Sequence, residues 1–173
     1  MKKIVAMIMV AAMVVTTAAV AFTEDADAAT KNVSLSKAKA IALKSAGLKS
    51  SQVRFTDAER DGGIYEIEFI RKSNRAEYDF DVSLKGKVLK KSTEYKYRHN
   101  YSKKKIGKDK ARAVVAKFSK NKLSLVKKGY CTFERDDGEG IYEVHFKKGI
   151  YRYEYDVLAP TGKVISWERV TIR

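Results

Sequence analysis

Four carboxylates stand at alternate positions in two short runs. Glu66 and Glu68 lie in Tyr65-Glu66-Ile67-Glu68-Phe69, and Asp79 and Asp81 lie in Tyr78-Asp79-Phe80-Asp81-Val82. Two such groups can divide the work of general acid and general base, and a cluster of them can hold a cation. Alternation has a plainer consequence too. A period of two puts the rings and Ile67 on one face of a strand and the acids on the other, which is the wet side of a half-buried antiparallel sheet. Alternation alone predicts that arrangement, with lysines as counter-charges, so the plainer reading is preferred. The remaining reactive side chains are few. His99 and His145 are the only histidines, and neither falls in an HExxH or similar ligand spacing. Cys131, the one cysteine, shares a region with His145, and such a pair is what a thiol nucleophile requires. No local motif surrounds it, and a cysteine packed into a strand accounts for it. Neither a P-loop nor a nucleophile elbow is present. The sequence is read as non-enzymatic, with no catalytic, metal or cofactor site.

The elements that carry these residues are written twice. Ile64-Tyr65-Glu66-Ile67-Glu68-Phe69 returns 77 residues later (141 − 64) as Ile141-Tyr142-Glu143-Val144-His145-Phe146. A Gly-rich acidic turn precedes each, Asp61-Gly62-Gly63 and Asp136-Asp137-Gly138-Glu139-Gly140. A second alternating run follows each, Tyr78–Val82 and then Tyr153-Glu154-Tyr155-Asp156-Val157. Both copies then reach a glycine and an apolar pair, Gly86-Lys87-Val88-Leu89 and Gly162-Lys163-Val164-Ile165. Repeated order over this length marks an internal duplication.

Around the repeat, the chain of 173 residues opens with Lys2-Lys3, an apolar run from Ile4 to Phe22, and small residues at Ala19-Val20-Ala21 and Ala26-Asp27-Ala28. This describes a secretory signal peptide over residues 1–28. An uncleaved membrane anchor is the rival, since the run is nearly long enough to span a bilayer. The Ala and Thr content and the small-residue end favour cleavage. Loss of 1–28 removes two lysines and three acids, taking the net charge from +15 to +16. Between Lys85 and Lys128 there are 17 Lys/Arg against Glu94 and Asp109, so the middle of the chain is a basic block. One unpaired cysteine excludes an internal disulfide, and units of 60–70 residues are marginal alone.

Ser34 is a good N-cap for a helix with Leu35, Ala38, Ile41, Ala42 and Ala46 on one face, stopped by Gly47. Strands are expected at 53–56, 64–69, 78–82 and from Lys87 towards Tyr97, joined by hairpin loops at 61–63 and 72–75. A basic linker, 98–105, precedes a second helix from Lys108 to Phe118, which has Gly107 in place of the capping serine. Strands follow near 130–135, 141–146, 151–158 and 163–172. The fold class is therefore α+β. The reading gives two tandem modules, 32–97 and 106–173, each a helix packed on a four-stranded antiparallel sheet.

Ala38–Gly47, Tyr65–Phe69, Tyr78–Val82 and Gly86–Leu89 together resemble a PepSY domain. Residues 106–173 resemble a second, with His145 where the first copy has Glu68. The family occurs in propeptides of secreted thermolysin-like peptidases, in a spore-germination protein and in small secreted proteins. The resemblance implies a role in restraining or chaperoning peptidases near the cell surface. The helix-plus-sheet pair also resembles the architecture of the β-lactamase inhibitor protein, in fold only.

Two functions are weighed. One is a secreted, non-enzymatic binding protein that modulates or inhibits an extracellular peptidase or another envelope protein. Its candidate contacts are the loop residues Asp61, Gly62, Gly63, Asp137, Gly138 and Glu139, because loops on a rigid sheet often carry recognition. The other is a cell-surface scaffold or retention protein, bound to anionic wall polymer or lipid through the basic block, with Lys103, Lys104 and Lys105 as candidate contacts. Basic residues interleaved with Tyr95, Tyr97 and Tyr101 also suit nucleic acid, but export makes that a poor physiological partner. The expected location is extracellular or cell-surface.

Overall fold

A computed structural model describes residues 32–97, 102–136 and 138–172. The expected signal peptide, the start of the linker and Asp137 lie outside the described residues. Among those residues, no helix is long and apolar enough to cross a membrane.

The first helix, α1 (Leu35–Ala46), forms where its caps place it. The Ser34 hydroxyl accepts from the Lys37 N–H at 3.2 Å, and Gly47 closes the last turn in the left-handed conformation. Its small face, Ala38 and Ala42, is fully buried, which lets the helix lie close against the sheet. A 3-10 turn at Ser50–Gln52 leads to β1 (Val53–Asp61), β2 (Ile64–Arg71), β3 (Glu77–Ser83) and β4 (Val88–Glu94). The second half runs α2 (Lys108–Phe118), a short α3 (Leu123–Lys127) that the sequence did not announce, β5 (Tyr130–Asp136), β6 (Glu139–Lys148), β7 (Tyr151–Leu158) and β8 (Val164–Thr171).

The two expected four-stranded sheets are in fact one. The order is β1-β2-β3-β4-β8-β7-β6-β5, antiparallel throughout, because β4 pairs with β8 from Lys90↔Val170 to Glu94↔Ser166. That pairing satisfies backbone groups that would otherwise be unpaired on two edge strands. All helices pack on one face. Under α1 the core is Tyr65, Ile67, Phe69, Phe80 and Val82; under α2 and α3 it is Val126, Tyr142, Val144, Phe146, Tyr155 and Val157. Ring stacking orders both, with Phe69 against Phe80 at 5.7 Å and Phe146 against Tyr153 at 4.9 Å. Cys131 is 5 % exposed and belongs to the second core, as a strand cysteine should.

Phe80 is fully buried at the centre of the first core. Phe80→Ala is expected to cost about 3–5 kcal/mol by transfer loss and cavity formation. The urea midpoint of the variant against the parent measures it; a loss under about 1 kcal/mol would mean that the core collapses around the gap.

Candidate interaction surface

The side of the sheet opposite the helices is where the acids gather. The strand register lays them in rows across all eight strands. One row runs Asp57, Glu68, Asp79, Ser92, Glu168, Glu154, His145, Tyr130. A neighbouring row runs Glu77, Glu94, Ser166, Asp156, Glu143, Thr132, and on the other side Glu59, Glu66 and Asp81 precede Lys90. The pleat produces this from simple alternation, and the β4–β8 pairing makes it continuous. Glu66, Glu68, Asp79 and Asp81 all lie on this open face, as alternation requires.

Counter-charges are fewer than acids here. Lys90 Nζ donates to Asp79 Oδ2 at 2.6 Å, and Lys96 Nζ reaches Glu77 Oε1 at 2.8 Å. Burial alone would lower the Lys90 pKa, but the hydrogen bond and charge of Asp79 outweigh it and hold the ammonium above its ordinary value. Asp81 is raised, first by partial burial and then by Asp79, against the pull of Lys90. The strongest case is Asp156, raised to about 6 by burial and then by Glu143, Glu154, Glu134 and Glu94. Beside Glu68, Glu77, Asp79 and Glu94 the face forms a polar hollow of about 340 Å³.

At the far end of the central row His145 is 8 % exposed, shut in by Tyr130, whose ring stacks on it at 4.2 Å. Its Nδ1 is 3.3 Å from Glu154 Oε2, and its Nε2, which has no hydrogen-bond partner, is 3.6 Å from Glu143 Oε2. The outward face therefore holds His145, but under a cover that period-two patterning does not show. Among the described residues no three His, Cys, Asp or Glu side chains are placed to hold a metal ion. Cys131 points to the opposite face, into the core, and burial raises its pKa. A paired Cys131–His145 nucleophile is thus not assembled.

The loop residues fare differently. Asp61, Gly62 and Gly63 form the exposed β1–β2 turn, and Gly138 is exposed in the β5–β6 turn. The antiparallel seam sends these two turns to opposite ends of the sheet, so they do not form one contact surface. Glu139 is fully buried at the start of β6, so its side chain is not presented at the surface. Lys103, Lys104 and Lys105 are exposed, and Lys105 Nζ caps the Phe133 ring at 3.6 Å.

The family model described as peptidase propeptide and YPEB domain, PepSY, matches residues 32–91. Residues 32–91 of this chain form a PepSY domain. The match begins just before α1 and ends inside β4, so it takes in the first helix, the first core and, of the residues that pair with β8, Lys90 and Lys91. No curated protein matches the chain. Similar solved structures include a cysteine-rich secretory protein from Staphylococcus aureus, at 17 % identity and a TM-score of 0.36 over 76 % of this chain. The chain spans 43 % of the length of that protein. A DUF2874 family protein from Bacteroides uniformis matches at 11 % identity and a TM-score of 0.31, over 79 % of this chain and 90 % of its own. A protein described as periplasmic from Bacteroides eggerthii matches at 11 % and 0.28, over 78 % and 88 %.

The Asp156 shift has a measurable sign. An acid whose folded pKa, about 6, exceeds its ordinary 3.8 holds its proton more tightly when folded. Its contribution is therefore most favourable in acid and is lost as pH rises from about 4 to about 6. Asp156→Asn is expected to raise stability by about 1–2 kcal/mol above that window, allowing for partial solvent screening, and to change little below it. Urea midpoints on both sides of the window decide; an unchanged pH profile in the variant would remove Asp156 as the cause.

Proposed function

We propose that this is a secreted, non-enzymatic binding protein made of two PepSY-like units fused into one sheet, and that it engages a partner protein, a peptidase, through the open acidic face. The observation that carries the reading is the continuity of that face across the seam. Glu68 and Asp79 from one half stand in the same row as Glu168 and Glu154 from the other. Nothing in packing demands so many like charges together, and a cationic partner surface would relieve them.

The duplication is supported by the symmetry of the join. Gly162 follows Gly86 by 76 residues, and at the same offset Ser92 corresponds to Glu168, the residue it pairs with. Lys91↔Arg169 and Thr93↔Trp167 exchange under that correspondence, as they would across a two-fold axis. Local ties repeat as well. The Tyr65 hydroxyl donates to the Val33 carbonyl at 2.7 Å, while the Tyr142 hydroxyl accepts from the Gly107 N–H at 3.1 Å, so each tyrosine pins the chain before its helix. Gly86 (φ +77°) and Gly162 (φ +74°) occupy matching turns, and a side chain there would press on Ile41 and Val33 or on Ile106.

The peptidase reading rests on the family description of the first unit, and the location on the signal-like start of the sequence. The retention reading keeps one observation in its favour. The exposed lysines of the basic block, among them Lys103, Lys104, Lys108, Lys110 and Lys117, lie on or beside the second helix, away from the acidic face. The two readings therefore use different surfaces of one protein.

Capture from the producing organism's secreted fraction on immobilised residues 29–173 separates them. The parent is compared with a Glu68→Gln, Asp79→Asn, Glu168→Gln variant and with a Lys103→Gln, Lys104→Gln, Lys105→Gln variant. A retained protein, with peptidase activity slowed by the soluble parent and affinity at least about tenfold lower for the acid-neutralised variant, is the expected result. Anionic polymer released by salt, and lost only with the lysine variant, would replace this reading by retention.

A further inference from the structure

The helices do not cover their side of the sheet from edge to edge. Between the C-terminal ends of α1 and α2 a groove of about 300 Å³ remains above β4, β8 and β7. Its walls are aromatic. Tyr95 meets Phe118 edge-on at 6.3 Å, Phe118 meets Tyr155 at 6.0 Å, and Tyr155 stacks on Trp167 at 6.2 Å. Phe118 is 44 % exposed, far more than a core phenylalanine.

Two cations lie in this aromatic setting, Lys91 and Arg169, directly opposite each other across the seam. Among the described residues neither makes an ion pair with a carboxylate; the acids are on the other side of the sheet. Lys91 is partly provided for. Its Nζ donates to the Ser45 carbonyl at 2.6 Å, at the favourable end of the α1 dipole, and lies 5.5 and 5.3 Å from the Phe80 and Trp167 ring centres. Burial, and then Arg169, still lowers its pKa. Arg169 is less well satisfied. It lies over the Tyr151 ring at 4.6 Å, and its Nε is buried with no hydrogen-bond partner. An orphaned guanidinium donor is costly inside a protein and suits a planar carboxylate.

We propose that this groove binds an acidic, aromatic peptide segment of a partner protein, with a carboxylate on Arg169 and a ring between Phe118 and Trp167. The charge calls for an anion, and the aromatic walls favour one attached to an apolar group over a bare polyanion. This site is separate from the acidic face and opposite in charge, so one molecule would present two complementary surfaces. A protein that binds at both would act as a bridge.

Trp167 is the only tryptophan and reports on the groove by its fluorescence. The probes are a blocked peptide Ac-Glu-Tyr-Glu-Phe-NH2, its Gln-Tyr-Gln-Phe counterpart, and inorganic phosphate. Saturable change with the acidic peptide below about 1 mM, at least tenfold weaker with the amide peptide and absent with phosphate, is expected. Arg169→Gln should weaken it at least tenfold and Arg169→Lys by less, each with an unchanged circular dichroism spectrum; Phe118→Ala, at an exposed position, should weaken it too. Asp79→Asn, on the other face, should leave the titration unchanged, which keeps this outcome independent of the open-face reading. Equal response to both peptides, a phosphate response of the same size, or no saturation by 1 mM with the folded parent would overturn the proposal.

Discussion

Everything else in this molecule depends on the pairing of β4 with β8. Each half alone would end in an edge strand with a row of unpaired donors and acceptors beside a small core. Joined, the two edges satisfy one another, and the sheet ends instead at β1 and β5, at opposite sides. The seam has few aliphatic side chains to hold it. On the helix side it relies on Lys91 spread between the Phe80 and Trp167 rings and on Thr93 facing Trp167. Such a join is made by backbone hydrogen bonds and cation–ring contacts more than by area, which leaves room for a groove above it.

The second organising fact is the sorting of charge by the pleat. A chain with a net charge of +15 nevertheless assembles an acidic face, because alternation commits the acids to one side while lysines occupy helices and connecting segments. The arrangement carries a cost: burial first, and neighbouring acids after it, raise the pKa values of Asp81 and Asp156. A surface that holds unfavourable self-interaction in the free state has more to gain when a complementary surface covers it. Here the constraint that sets the fold and the feature offered for function have one origin.

Local structure was largely legible in the sequence, and long-range structure was not. Ser34 and Gly47 bracket α1 to the residue, and the alternation of Tyr65 to Phe69 identified both the buried and the open face. The β4–β8 pairing left no such trace. Val88–Glu94 contains Lys90 and Lys91 in succession and carries no apolar alternation that would point to a partner strand, whereas in the sheet one lysine pairs with Asp79 and the other packs among rings. The opposed placement of the two acidic turns follows from that pairing and was hidden with it. Glu139 looked like a turn residue because glycines flank it, yet the strand starts two residues earlier than its alternation shows and takes it inside. The groove is assembled from Tyr95, Phe118, Tyr155, Trp167, Lys91 and Arg169, which come from both halves, and no spacing rule brings them together.

Cys131 gives the second half a built-in clock. The thiol is 5 % exposed, sits among Tyr142, Val144 and Val126, and is kept protonated by burial. While the core is closed it offers neither thiolate nor access, so an oxidising environment leaves it as it is. Any reaction at this sulfur must wait for β5 to part from the sheet or for α2 to lift. The rate at which an external disulfide exchanges with it then measures how often that half opens, independently of whether the first half opens with it. Because β5 is an edge strand and α1 with its core lies at the other end of the sheet, exchange at Cys131 reads the second half and not the first.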